Sequence, residues 1–148
     1  MSYVRRLDQL AGRLSIDRAI VWAGFLNEKE KPSALKSACI FAHPSYSEGM
    51  ALAILEAMSA GLPTVVTPGC YMDSARDFGA VWEVEQTPRE LSKSIVKLLS
   101  DPSKARLLGD AGRKYVNTWH RWEGIAQQMD LVYRGEARVS VAGKSRTK

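Results

Sequence analysis

An alternation of short apolar runs with longer helical patterns over the first two thirds of the chain constrains its fold most strongly. Short runs rich in β-branched residues are typical of buried strands. They occupy positions 19–23, 39–42, 63–67 and 80–84. Apolar residues at helical spacing predict a helix over 3–14, before the first of these runs. Two further helices are predicted between the runs: one from about Pro32, since proline is tolerated in a first turn, and one over 50–60, ending at Gly61, a natural C-cap position. This order predicts an α/β fold with a Rossmann-like parallel sheet and helices on both faces.

From Thr87 onward the pattern is helical only, so we expect C-terminal helices to follow the sheet. The segment Thr87-Pro88-Arg89-Glu90 is a capping box with proline in the first turn. Asp101-Pro102 starts a second helix, and residues 122–133 form a third. Residues 135–148 are polar, small and basic, which predicts a disordered tail behind one domain over 1–134.

Composition excludes several classes of protein. The two cysteines, Cys39 and Cys70, form no CxxC pair, so neither a disulfide framework nor a metal site is expected. The longest apolar run, Met50 to Leu55, is too short to span a bilayer, and no secretory leader is recognisable. We therefore expect a cytoplasmic protein.

The distribution of charge also limits which partners are expected. The net charge is +5, and seven of the 21 lysines and arginines lie in the first six or last 15 positions. No basic stripe with interleaved aromatic residues occurs, so no nucleic-acid partner is expected. The basic ends are most simply interpreted as solvated chain ends, and they allow at most a peripheral contact with the inner membrane face.

Ligands of parallel α/β sheets bind beyond the carboxyl ends of the strands. That rule selects three loops, at residues 24–28, 43–49 and 68–73. In the second loop, Gly49 precedes a helix, where unpaired backbone N–H groups can bind a phosphate and glycine permits a close approach.

Two carboxylates accompany this helix, Glu48 at its mouth and Glu56 two turns in. Glu48 could simply interact favourably with the helix dipole, and Glu56 could face solvent or pair with a structural arginine. Alternatively, both face the ligand crevice, where carboxylates can accept hydrogen bonds from vicinal hydroxyls. Spacing alone leaves these readings open.

The string PSYSEGMALAILEAMSAGLPTVVT resembles the signature of glycosyltransferase family 4 and related GT-B enzymes, with Glu48 and Glu56 as its Glu-x7-Glu pair. The flanking VWAGFL and the later LSKSIVKLLSDPSKARLLGDAGRKYV are similar to the same family. The resemblance spans residues 3–133 and implies the C-terminal, donor-binding half of a GT-B fold.

By this resemblance, Glu56 binds the ribose hydroxyls of a UDP- or GDP-linked sugar, and Glu48, the catalytic position, binds the hydroxyls of the transferred sugar. Gly24 and Phe25 lie near the nucleobase. The sugar and diphosphate meet the backbone amides of Gly49, Met50 and Ala51. The family transfers sugars with retention of anomeric configuration, without a metal and with no cofactor beyond the donor. A role in bacterial polysaccharide or glycolipid synthesis is expected.

Two departures from the family pattern concern the donor loops. Many members read Glu-Gly-Phe-Gly where this chain has Glu48-Gly49-Met50-Ala51, and the loop at 69–73 also differs from the usual form. Alanine in place of the second glycine narrows the backbone's freedom and bears on which sugar fits.

The chain starts only 47 residues before Glu48, whereas family members carry an arginine, a lysine and an acceptor-binding half further upstream. We therefore expect the chain alone to be inactive, to require that N-terminal half as a partner, and to self-associate through surface left uncovered. A stand-alone nucleotide-sugar-binding module, a subunit of a split enzyme and a non-functional remnant are the alternatives.

Overall fold

The computed structural model describes residues 3–136, which divide between Ser33 and Ala34 into two compact units. In the first unit, helix α1 (Tyr3–Arg13) carries an apolar stripe, and Ala11 on it is buried. A single 3-10 turn, Asp17–Ala19, follows, and residues 20–27 are irregular.

The strand predicted at 19–23 is therefore wrong. A strand needs a neighbour to take up its backbone hydrogen bonds, and none pairs with this segment among the described residues. Its side chains are exposed where a buried strand was expected: Val21 is 88% exposed, and the Trp22 Nε1–H donates to Asp8 Oδ1 at 2.9 Å. The apolar run alone could not distinguish a strand from an extended surface segment.

Helix α2 (Glu30–Ser37) begins two residues before the predicted start at Pro32. Asn27 is the reason: its Oδ1 accepts from the N–H groups of Lys29 (2.9 Å) and Glu30 (3.0 Å). The Glu30 carboxylate in turn accepts from the Asn27 N–H at 3.0 Å, which completes a reciprocal cap.

The second unit is built on a three-stranded parallel sheet in the order β1 (Phe41–His43), β2 (Thr64–Val66), β3 (Trp82–Glu83). Phe41 stands opposite Thr64, and Val65 opposite Trp82. All three residues of β2 are buried, as befits the central strand. The predicted parallel α/β architecture is confirmed, with each strand shorter than its apolar run.

The core lies between helix α3 (Leu52–Ser59) and helix α6 (Pro102–Trp119), which pack against each other and the sheet. Ile54 and Met58 of α3 are fully buried. The two helices approach closely at Gly109, where an added Cβ would overlap the carbonyl oxygen of Gly61. The Arg113 guanidinium caps the end of α3 by donating to the Ala60 carbonyl at 3.0 Å.

The remaining helices are α4 (Asp73–Asp77), α5 (Pro88–Ser100) and α7 (Trp122–Tyr133). Thr87 Oγ1 caps α5 by accepting from the Glu90 N–H, and Asp101 Oδ1 caps α6 by accepting from the Lys104 N–H. The predicted starts of all three C-terminal helices are confirmed. The predicted tail at 135–148 lies almost entirely outside the described residues. Within them, none of the helices combines the length and hydrophobicity needed to cross a membrane.

Candidate functional site

The carboxyl ends of β1 and β2 carry two loops that are joined to each other. Three hydrogen bonds join them: Thr67 Oγ1 donates to the Ser45 carbonyl (2.6 Å), the Glu48 N–H to the Gly69 carbonyl (2.9 Å), and Cys70 Sγ to the His43 carbonyl (3.2 Å). Gly69 also has no room for a side chain, because a Cβ there would overlap the Tyr46 carbonyl. Cys70 is buried and holds the loop through its thiol. The loop bearing Glu48 is therefore fixed by the loop after β2.

Glu48 is paired with His43, the last residue of β1. Nε2 of His43 lies 2.9 Å from Oε1 of Glu48, and the two side chains are 27% and 32% exposed. The His43 ring stacks on Phe41, with centroids 6.0 Å apart and 11° between the planes. Hydrogen bonds from His43 first, and then from Ser45, lower the pKa of Glu48 below its ordinary value. Glu48 is therefore a carboxylate at neutral pH.

Helix α3 begins two residues later than predicted. Ala51 occupies its N-cap position with non-helical dihedrals (φ −79°, ψ 86°), and an alanine side chain cannot cap the helix. The Leu52 and Ile54 N–H groups donate to the Met50 and Ala51 carbonyls, at 3.0 and 2.9 Å. With no side-chain cap, the remaining N–H groups of this helix start are available to an anion. The start of α3 is suited to a phosphate for this reason.

A cavity of about 170 Å³ opens at this helix start. Its lining comes from the loop after β1, helix α3, the loop after β2, helix α4, helix α6 and the residue that follows α6. The lining residues are Gly49, Met50, Ala51, Leu55, Cys70, Tyr71, Met72, Ser74, Tyr115 and His120. The cavity thus brings together two of the three loops selected from the sequence.

The structure brings together some of the predicted site residues and not others. Residues 49–51 line the cavity, whereas Glu48, in its pair with His43, is not among the lining residues. Glu56 is half-buried on α3. Gly24 and Phe25 belong to the first unit, in irregular backbone, where Gly24 has φ +66° and Phe25 is 93% exposed. The binding roles of all these residues stay predictions.

Tyr115 and His120 form a wall of the cavity that the sequence did not predict. Their rings lie 5.1 Å apart, and burial raises the pKa of Tyr115 and lowers that of His120. Both follow more than 40 residues after the loop at 68–73, so only the tertiary fold brings them to the site. No cluster of three or more metal-ligating side chains occurs within residues 3–136.

A second cavity, of about 250 Å³, lies where the loop after β1 meets the start of α5. Its lining is mostly apolar and comprises Pro44, Tyr46, Thr67, Gln86, Thr87, Pro88 and Leu91. The Gln86 side-chain nitrogen Nε2 is buried here without a hydrogen-bond partner among the described residues.

A parallel sheet with a cavity and an uncapped helix start at its carboxyl edge defines a Rossmann-like α/β domain, a fold in which ligands bind at that edge. The model of the family described as "Glycosyl transferases group 1" matches residues 2–115, and the chain belongs to this family. The chain spans about a third of the length of the curated relatives that it matches.

Among those relatives is an MMP alpha-(1->4)-mannosyltransferase of Mycolicibacterium hassiacum, 30% identical over 138 residues that cover 90% of this chain and 33% of the relative. The sucrose-phosphate synthase of Thermosynechococcus elongatus is similar in structure, with a TM-score of 0.81 and 28% identity over 88% of this chain and 33% of that one. Anabaena Alr3699/HepE, solved in complex with UDP, has a TM-score of 0.83 at 22% identity over 90% and 37% of the two chains. These matches establish the GT-B architecture.

Proposed function

We propose that this chain is the donor-binding part of a retaining glycosyltransferase that moves a sugar from a nucleotide-sugar to an acceptor. The observation that carries the proposal is the cavity at the start of α3, where no side chain caps the helix. Residues 49–51 line this cavity, and Glu48 directly precedes them in the same loop. Backbone N–H groups at a helix start suit a diphosphate, and a fixed carboxylate suits sugar hydroxyls.

In this proposal Glu48 accepts hydrogen bonds from the transferred sugar, and Glu56 binds the ribose. The backbone of residues 49–51 meets the sugar and the diphosphate, and Gly24 and Phe25 contact the nucleobase. The donor is UDP- or GDP-linked; the UDP complex of HepE, which shares the fold, supports a nucleoside diphosphate as the ligand. The protein's contribution to transfer is then positioning and stabilisation of charge on the leaving diphosphate.

The acceptor is held by a separate N-terminal half, as in a two-domain enzyme, and the chain by itself does not complete the reaction. The product is a bacterial polysaccharide or glycolipid. In this proposal the anomeric configuration is retained and no metal takes part, as the resemblance to glycosyltransferase family 4 implies.

Calorimetric titration of the chain with UDP, GDP and ADP tests the proposal. We expect saturable binding of one nucleotide, and an affinity at least about tenfold lower in Glu56→Gln, since a hydrogen bond to a charged group contributes about 1.5–3 kcal/mol. The variant keeps the shape of the side chain and removes its charge.

The matched control is Glu123→Gln, which removes the charge of an exposed helical glutamate on α7. Its nucleotide affinity should equal that of the wild type. Absence of binding for all three nucleotides, or an equal loss in both variants, would contradict a donor site on this chain.

A further inference from the structure

The pair between His43 and Glu48 fixes a carboxylate that the proposed function uses, through a side chain that is not itself part of the Glu-x7-Glu motif. The backbone of His43 is held at two points: it pairs with Val66 in the sheet, and its carbonyl accepts from the buried Cys70 thiol at 3.2 Å. Its ring is held against Phe41. These contacts therefore fix the position of the imidazole at the end of β1.

The tautomer of His43 follows from its partner. An ionised carboxylate can only accept hydrogen bonds, so at 2.9 Å from Glu48 Oε1 the Nε2 atom of His43 must carry the proton. Oε1 of Glu48 accepts from the imidazole, and the carboxylate also accepts from Ser45. Because two carboxylate oxygens offer about four lone-pair sites, Oε2 can still accept from a further donor. The Glu48 backbone is held at the same time by its N–H bond to Gly69.

We propose that His43 is the positioning residue of the donor-sugar site, holding Glu48 Oε1 so that Oε2 accepts from a hydroxyl of the transferred sugar. This inference rests on the proposed function, because it assigns His43 a role through the carboxylate that binds the sugar. Binding of the sugar moiety therefore depends on His43, whereas binding of the nucleotide moiety does not.

Two substitutions separate positioning from a merely structural role. His43→Phe keeps an aromatic ring to stack on Phe41 and removes the N–H donor. His43→Gln places an amide N–H near the position of Nε2. Each variant is titrated with a nucleoside diphosphate and with the matching nucleotide-sugar, using the donor nucleotide that the wild-type chain binds.

We expect His43→Phe to bind the nucleotide-sugar about tenfold more weakly and the nucleoside diphosphate with unchanged affinity, since one charge-assisted hydrogen bond is lost. His43→Gln should recover the nucleotide-sugar affinity to within about threefold of the wild type. Equal affinities in all three proteins would overturn the proposal. So would an equal loss for both ligands in His43→Phe, which indicates a structural role only.

A ligand-free measurement keeps this inference separate from the proposed function. In nuclear magnetic resonance spectra of the labelled wild-type chain, His43 should carry its proton on Nε2, and the carboxyl carbon of Glu48 should titrate at lower pH than in His43→Phe. If the wild-type chain binds neither ligand, the proposed function fails while these spectra still support the hold of His43 on Glu48. A proton on Nδ1, or a Glu48 titration unaffected by His43→Phe, would show that His43 does not position Glu48.

Discussion

At the scale of single residues, the buried amide of Gln86 destabilises the folded state. Its Nε2 is buried without a partner among the described residues, and an unsatisfied buried donor costs about 1–3 kcal/mol. We expect Gln86→Met, which keeps the length of the side chain and removes the donor, to raise the free energy of unfolding by about 1 kcal/mol in urea denaturation. The control Gln127→Met, at an exposed position on α7, should change it by less than about 0.5 kcal/mol. A loss of stability in Gln86→Met would show that the amide is hydrogen-bonded in solution.

His120 makes stability depend on pH. Burial lowers its pKa in the folded chain below the ordinary 6.5, so the unfolded chain binds this proton at higher pH than the folded chain. The stabilisation is therefore complete above pH 6.5 and is lost as the pH falls through 6.5 toward the folded pKa. We expect the free energy of unfolding to fall with pH in this window, by at most about 1.4 kcal/mol per pH unit from this one group.

The variant His120→Phe isolates this effect, since it fills the same place among the aromatic rings and cannot titrate. In urea unfolding at a series of pH values, the free energy of unfolding should fall less steeply with decreasing pH for the variant than for the wild type. Identical slopes would mean that His120 titrates alike in the folded and unfolded chains.

At this scale, only part of the candidate site could be predicted from the sequence. The rule that ligands bind beyond the ends of parallel strands placed the loop with Glu48 and Gly49 correctly at the sheet edge. The pairing of Glu48 with His43 was not predicted from the sequence. These two residues are joined across a loop whose shape depends on Gly69 and Cys70, more than 20 residues later. No periodic pattern encodes such a contact.

At the scale of elements, those with local signals were predicted best. Helices α5 and α6 begin where Thr87 and Asp101 cap them, and these caps are readable in four consecutive residues. The strand expected at 19–23 failed because strand formation depends on a neighbour, which a local run cannot specify. The start of α3 moved from position 50 to Leu52 for a related reason: the backbone of residues 49–51 follows the loops around it.

The packing of α6 on α3 reverses the usual effect of a glycine substitution. Gly→Ala in a helix interior normally stabilises by about 0.5–1 kcal/mol. At Gly109 the new methyl group would overlap the Gly61 carbonyl, so we expect Gly109→Ala to destabilise by about 1–3 kcal/mol, a typical cost of overpacking. Thermal unfolding followed by circular dichroism measures the change.

The matched control is Gly124→Ala on α7, where a Cβ meets no atom within 4 Å. This variant should gain about 0.5–1 kcal/mol, so the two substitutions should have opposite signs. A gain in Gly109→Ala would mean that α6 and the Gly61 turn separate easily.

At the scale of the whole molecule, the sheet offers a route to self-association. Strand β1 pairs with β2 on one side, and no strand among the described residues pairs with the other side. The Phe41 N–H donates to the Pro63 carbonyl at 3.0 Å, and successive residues alternate, so the N–H of the exposed Ala42 points away from β2. An unpaired strand edge is a template for pairing with another chain.

We therefore expect the chain to associate as its concentration rises in sedimentation velocity runs. Ala42→Pro removes the outward N–H and leaves the pairing with β2 intact, so it should weaken association. A monomer at high concentration in the wild type would contradict the expectation, and unchanged association in Ala42→Pro would place the contact elsewhere.

The dependence of the core on α6 also matters while the chain is being made. Met58 on α3 leaves the ribosome roughly fifty residues before Gly109 on α6, which at about 5–20 residues per second is an interval of several seconds. During that interval the apolar side of α3 lacks the helix that covers it in the finished fold. Chaperones that recognise apolar segments have this time in which to bind, and a stop codon before residue 102 would make the exposure permanent.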